Sequence, residues 1–349
     1  MLIDFSKMIS ENLSMSERYV ENVLKLFNDG ATIPFISRYR KEMTGGMDEV
    51  QITDIKNLYS KLHAILERKN SILSIIDGQG KLTEELKKRI NDCWDIILLE
   101  DIYLPFKPKR RTRAEIARQN GLEPLAQILI QQKSDYIVDK AKQFITDKVC
   151  DVESALSGAM DILAEWFNEN ERCRNIVRKH FKYSAEIKSK VIKGKEEVGI
   201  KYKDYYDFSE SLKRCSSHRL LAIRRGESDG VLRVSITIDD EACLDDLSRI
   251  VIRGKSACTH YVKLSLSDAY KRLIKPSIET EFASDSKFKA DNEAINVFAK
   301  NLHQLLLSPP LGSKGVLALD PGFRTGCIVG CLDAQGVLLH NDTIYPRPP

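Results

Sequence analysis

Five cations fall within one seven-residue stretch, Lys107, Lys109, Arg110, Arg111 and Arg113, with only Pro108 and Thr112 between them. Like charges this dense repel one another, and a fold meets that cost most readily where a polyanion neutralises them. The chemistry such spacing serves is phosphate binding, by charge and without base readout. A solvated basic loop would have the same composition, so the flanking residues decide. Pro105 and Pro108 fix φ on the approach. Thr112-Arg113-Ala114-Glu115 reads as a capping box, in which Thr112 accepts from the Glu115 backbone N–H and Glu115 reaches back. Gly121 then stands where a helix of that length would need a left-handed residue to stop.

A second candidate is Asp320, in the run LALDPGFRTG at 317–326, with Arg324 beside it as a further phosphate contact. Metal-assisted phosphodiester cleavage needs several carboxylates around paired divalent ions, and one cannot hold them. Asp320 therefore reads as an acceptor for backbone N–H groups in the turn, or as a group that positions phosphate. The eight cysteines (93, 150, 173, 215, 243, 258, 327, 331) lack CxxC spacing, and the six histidines show no HxxxH or HExxH pattern. Neither a zinc site nor a disulfide framework is read from them, and the thiols read as free. Walker, nucleophile-elbow and dinucleotide-loop motifs are not found either. The expectation is no catalytic residue, no metal and no cofactor, hence no enzyme.

The positioning elements read as mostly helical. Ser16 is placed to cap a helix closed by Gly30, and a long helix is expected from about 48 to 76, with Leu58, Leu62, Ile65, Ile72 and Ile76 on one face. Shorter helices follow near 83–92, 93–103, 112–120 and 122–132, then 151–166 and 169–181. A second basic region, Arg172, Arg174, Arg178, Lys179 and Lys182 with the lysines of 188–203, is diluted by acids and reads as a solvated face. KYKDYYDF at 201–208 reads as aromatic packing of a connecting segment, with a base-stacking platform as the alternative. Strands are expected at 186–192 and 231–238, and a helix ending at Pro276 precedes another over 291–307. After Ser308-Pro309-Pro310 the texture changes to three strands of a mixed sheet.

Four stretches, in order, resemble the Tex family of bacterial transcription accessory proteins: IPFISRYRKEMTGGMDE (33–49), LEDIYLPFKPKRRTRAEIARQNGLEPLA (99–126), SSHRLLAIRRGESDGVL (216–232) and LALDPGFRTG (317–326). The resemblance implies a mainly α fold: a multi-helical N-terminal region with a helix-turn-helix-like module over 1–200, a helical central region with a short β insertion over 201–311, and the opening strands of a YqgF, RNase H-like α/β domain over 312–349. It also implies an N-terminal part of a longer protein whose further helix-hairpin-helix modules and OB-fold RNA-binding domain lie outside these 349 residues. The implied function is RNA or DNA binding in transcription, with the transcription machinery as a further partner. A YqgF-type nuclease and a protein-interaction scaffold remain as alternatives. With a net charge of +4, the nucleic-acid signal lies in clustering and not in total charge. No apolar run approaches the length of a membrane span and no signal peptide is read, so the expected compartment is the cytoplasm, with no membrane partner.

Overall fold

The structure, a computed structural model, describes residues 4–109, 111–322 and 326–345. The chain divides into two compact units, Met1–Ala185 with Thr237–Glu281, and Glu186–Ile236 with Phe282–Pro349.

The first unit opens with α1 (Phe5–Leu13), α2 (Glu17–Asn28), α3 (Ile33–Tyr39) and α4 (Lys41–Thr44), followed by the 30-residue α5 (Glu49–Gly78). Both halves of a capping box start α5: the Gln51 N–H donates to Asp48 Oδ1 at 2.8 Å, and the Asp48 N–H donates to Gln51 Oε1 at 3.2 Å. Ser16 stands at the N-cap of α2 without a side-chain hydrogen bond. The N-terminal half of α5 closes one core with Ile9, Val20, Val23 and Ile36. Its C-terminal half closes a second with residues of α6 (Glu84–Asp92) and α7 (Ile96–Tyr103), chiefly Ile90, Leu99 and Ile102.

After the elbow come α8 (Arg113–Gln119), α9 (Glu123–Gln131), α10 (Ile137–Ala141), α11 (Val152–Glu169) and α12 (Glu171–Ser184). Helix α11 packs on α8, α9 and α12. It comes very close to α8 and to the start of α9: a Cβ built on Gly158 would lie 3.3 Å from Ala117 Cβ and 2.5 Å from Leu122 Cδ1. α14 (Asp240–Val251) and α15 (Ala257–Asp268) complete the unit.

The helix expected to end at Pro276 does not. α15 passes through a π-helical turn, Ala269–Ile274, straight into α16 (Lys275–Leu306). The Lys275 N–H donates five residues back, to the Tyr270 carbonyl. That shift of register makes Lys275 and Pro276 the first turn of a new α-ladder, where a proline has no N–H to lose.

The second unit contains β1 (Glu186–Val191), β2 (Asp207–Ser211), α13 (Ser217–Ser228) and β3 (Leu232–Thr237). β1 is the central strand of the order β2-β1-β3 and pairs antiparallel with β2 from Glu186↔Ser211 to Lys190↔Asp207. Ile187, Leu220, Ile223 and Ala290 form a core beneath it. The three C-terminal strands, β4 (Val316–Gly322), β5 (Gly326–Leu332) and β6 (Leu338–Ile344), form a second sheet. The expectation of a mixed sheet is corrected, because both pairings are antiparallel. Consecutive strands joined by connections this short can pair in no other way.

Candidate nucleic-acid interface

Helix α7 ends in a 3₁₀ turn, Leu104–Phe106, and Lys107 leaves it in an extended conformation. On the far side Thr112 caps α8: its Oγ1 accepts the Glu115 N–H at 3.1 Å. The reciprocal half of the expected capping box is not formed, and Glu115 turns instead to Gln119 and Arg118. The helix closes as a Schellman motif, with Gly121 at φ +78° and the Leu122 N–H on the Ala117 carbonyl at 3.1 Å. The elbow is thus hydrogen-bonded into the fold on its helical side.

Lys107, Arg111 and Arg113 are exposed, and Lys109 is half-buried. The Lys109 ammonium donates to Glu169 and lies 3.0 Å from Glu165 Oε2, both on α11. Arg118 Nη1 stands 2.6 Å from the same Oε2. That oxygen is held by charge, since neither contact has hydrogen-bond angles. Burial alone would lower the Arg118 pKa, but the paired Glu165 carboxylate overrides it and the guanidinium is raised. Lys109 therefore ties the elbow to α11, while Lys107, Arg111 and Arg113 make no ion pair among the described residues. Arg110 and Arg324, also expected to contact phosphate, lie outside the described residues.

The second basic region is not one solvated face. Arg174 and Arg178 turn inward on Asp101 of α7, with Arg174 Nε at 2.7 Å and Arg178 Nη2 at 2.9 Å from Oδ1. Arg178 Nε also reaches Glu281 Oε1 at 2.9 Å, and Arg174 Nη2 donates to Ser277 Oγ at 3.2 Å. Burial opposes the Arg178 charge, but hydrogen bonds to Asp101 and Glu281 outweigh it and raise the pKa. The signal in the sequence was Asp101 itself, an acid inside the apolar helix IILLEDIY. Such a residue is retained in a core only with a partner.

KYKDYYDF packs. The Tyr202 hydroxyl donates to Asp229 Oδ2 at 2.6 Å, and the Tyr206 hydroxyl to the Glu196 carbonyl. Arg219 pairs with Glu210 at 2.9 Å and Arg224 with Glu227 at 2.8 Å. Asp320 sits exposed on β4, opposite Ile328. Among the described residues no group of three or more His, Cys, Asp or Glu side chains is gathered as a metal site would need, and no helix is long and apolar enough to cross a membrane. All eight cysteines are free thiols.

Comparison with known proteins gives three family models in chain order: a Tex-like protein N-terminal domain at residues 3–77, a Tex central region-like model at 132–298, and a Tex protein YqgF-like domain at 314–349. Protein YhgF of Escherichia coli is 40% identical over 355 residues, covering 98% of this chain and 46% of its own length. Transcriptional accessory protein Tex of Neisseria gonorrhoeae is 36% identical over 98% of this chain and 46% of its own. The human S1 RNA-binding domain-containing protein 1 is 30% identical over 98% of this chain and 36% of its own. The chain thus spans about half the length, or less, of these curated relatives.

Proposed function

This chain belongs to the Tex family, and from that membership we propose that it is a nucleic-acid-binding accessory factor of transcription whose elbow grips phosphate. The observation that carries the reading is the division of labour in the cluster. Lys109 is spent on Glu165 and Glu169, and that contact presents Lys107, Arg111 and Arg113 to solvent. Arg110 and Arg324 are assigned to the same task on sequence alone. The names of two relatives, one for transcription and one for an S1 RNA-binding domain, support the class of partner, RNA or DNA, with the transcription machinery beside it. We assign this work to the cytoplasm, a reading that the transcriptional name of a bacterial relative supports. We further propose that these residues perform no catalysis: Asp320 positions, and Mg²⁺ or Mn²⁺ with DNA or RNA should give no cleavage that Asp320→Asn abolishes.

Phosphate contacts release counterions, at a slope of log K against log[salt] of about −0.7 per contact on single strands and −0.9 on duplex. Changing Lys107, Arg111 and Arg113 together to Gln should flatten the slope by roughly 2 to 3 units and weaken all sequences alike. Thermal stability should stay within about 0.5 kcal/mol, as for other exposed charges. An unchanged slope in the triple variant would remove the elbow from the interface.

A further inference from the structure

Behind the elbow, between α8 and α11, lies a cavity of about 260 Å³. Ile116, Ala117 and Val149 give it an apolar lining, although Ile116 is half exposed. Two cations line it: Arg113, in the first turn of α8, and Lys148, in the turn closed by the Thr146–Val149 bridge. Asp161 supplies a half-buried carboxylate to the lining. Its Oδ1 is 3.2 Å from Arg272 Nη2, and among the described residues its Oδ2 makes no hydrogen bond. Burial raises its pKa against the opposing charges of Arg272 and Arg113, and a donor brought to the free oxygen would offset that cost.

A slot walled by aliphatic side chains, with two cations and with Asp161, Asn120 and Ser154 as polar groups, matches the chemistry of an extruded base: apolar contact for the ring, hydrogen-bond partners for its edge, and charge for its phosphates. We propose that this cavity receives one unstacked base of a single strand whose phosphates lie on Arg113 and Lys148, and that Asp161 favours cytosine, whose N4 amine donates from the rim of the ring, over uracil, whose lone N3–H donor is flanked by two carbonyl oxygens that repel a carboxylate. The proposal rests on the phosphate reading of the elbow and adds a base-reading subsite to it. Duplex cannot use the site, because a paired base does not leave its stack without cost.

The test uses the full chain with oligocytidylate and oligouridylate of equal length, and a duplex of that length. Wild type should prefer cytidylate by about five-fold or more, as expected when one base gains a hydrogen bond to a carboxylate that the other lacks. Ser154→Phe fills the cavity from the exposed first turn of α11, where the cap is a backbone contact and survives the change. It should erase that preference while leaving duplex affinity and the salt slope alone. Lys107→Gln with Arg111→Gln should do the reverse, flattening the slope and keeping the preference, so the two readings fail separately. Equal affinity for the two homopolymers in wild type, or a preference that survives Ser154→Phe, overturns the subsite. If no oligonucleotide binds, cytidine 5′-monophosphate probes the cavity alone by saturation-transfer difference. Transfer stronger than to uridine 5′-monophosphate and lost in Ser154→Phe upholds the site, and its absence in wild type overturns it.

Discussion

Lys69 is buried on α5, its ammonium donating to the Asn91 carbonyl at 2.7 Å and lying 3.4 Å from the centre of the Trp94 ring. Burial pulls its pKa down from 10.5 to about 8. Between those values the unfolded chain holds a proton that the folded chain has lost, so stability from this group rises with pH across the window. Below pH 8 the cost is fully present, about 3 kcal/mol at most. Lys69→Met should therefore stabilise the fold at pH 7 by about 1 to 2 kcal/mol, after roughly 1 kcal/mol is lost at the orphaned Asn91 carbonyl. The gain should shrink as pH rises from 8 to 10.5. Paired thermal melts across that range check it, and a difference independent of pH would refute the mechanism. Lys109 makes the opposite case. Lys109→Gln leaves Glu165 and Glu169 short of a cation and should cost about 1 to 3 kcal/mol, a loss visible in denaturant midpoints. Its neighbours on the elbow should cost almost nothing. Nothing local to Lys109 sets it apart from Lys107 or Arg111, because its partners stand more than fifty residues on, at Glu165 and Glu169. Position in the cluster was legible in the sequence, and allegiance within it was not.

At the level of elements, helix ends were legible where a side chain caps locally. Asp48, Thr112 and Asp151 each accept the backbone N–H three residues on, within reach of any window read along the chain. Pro276 misled for the complementary reason. Whether a proline breaks a helix depends on the ladder before it, and the π turn at Ala269–Ile274 has no sequence signature of its own. The pair of inward arginines on α12 was equally hidden, since it is defined by Asp101 on α7 and Glu281 on α16. Asp101→Asn should destabilise the first unit by about 3 to 5 kcal/mol, the usual result of stranding buried cations. Urea titration followed by tryptophan fluorescence reads this directly, Trp94 and Trp166 both lying in that unit. A loss below 1 kcal/mol would mean that Glu281 alone satisfies Arg178.

Across the whole molecule, burial is uneven. The first unit has several closed cores, whereas Leu317, Leu319, Leu338, Leu339 and Ile344 of the C-terminal sheet are exposed. On α16, Ile295, Phe298, Leu302 and Leu305 are exposed as well. Backbone amides in strands with so little covering open locally at small cost. Hydrogen exchange should therefore show β4–β6 exchanging well before α5 and α11 in a dilute monomer. Protection of the sheet equal to that of α11 would contradict this. The alternation and turns of this region were plain in the sequence, but exposure was not, because alternating apolar residues describe a buried face without saying what covers it.

The clamp of Lys109 on α11 also has a calorimetric consequence. An elbow anchored at Lys109 and Thr112 before a ligand arrives has little chain left to fold around it. Binding through Lys107, Arg111 and Arg113 should then proceed with a heat-capacity change near zero, driven by ions returned to bulk solvent and nearly athermal. Lys109→Gln should convert that signature into a markedly negative heat capacity with an unfavourable entropy, as the loosened segment orders at the moment of contact. The lysine that anchors the elbow to α11 would thus set the temperature dependence of phosphate binding.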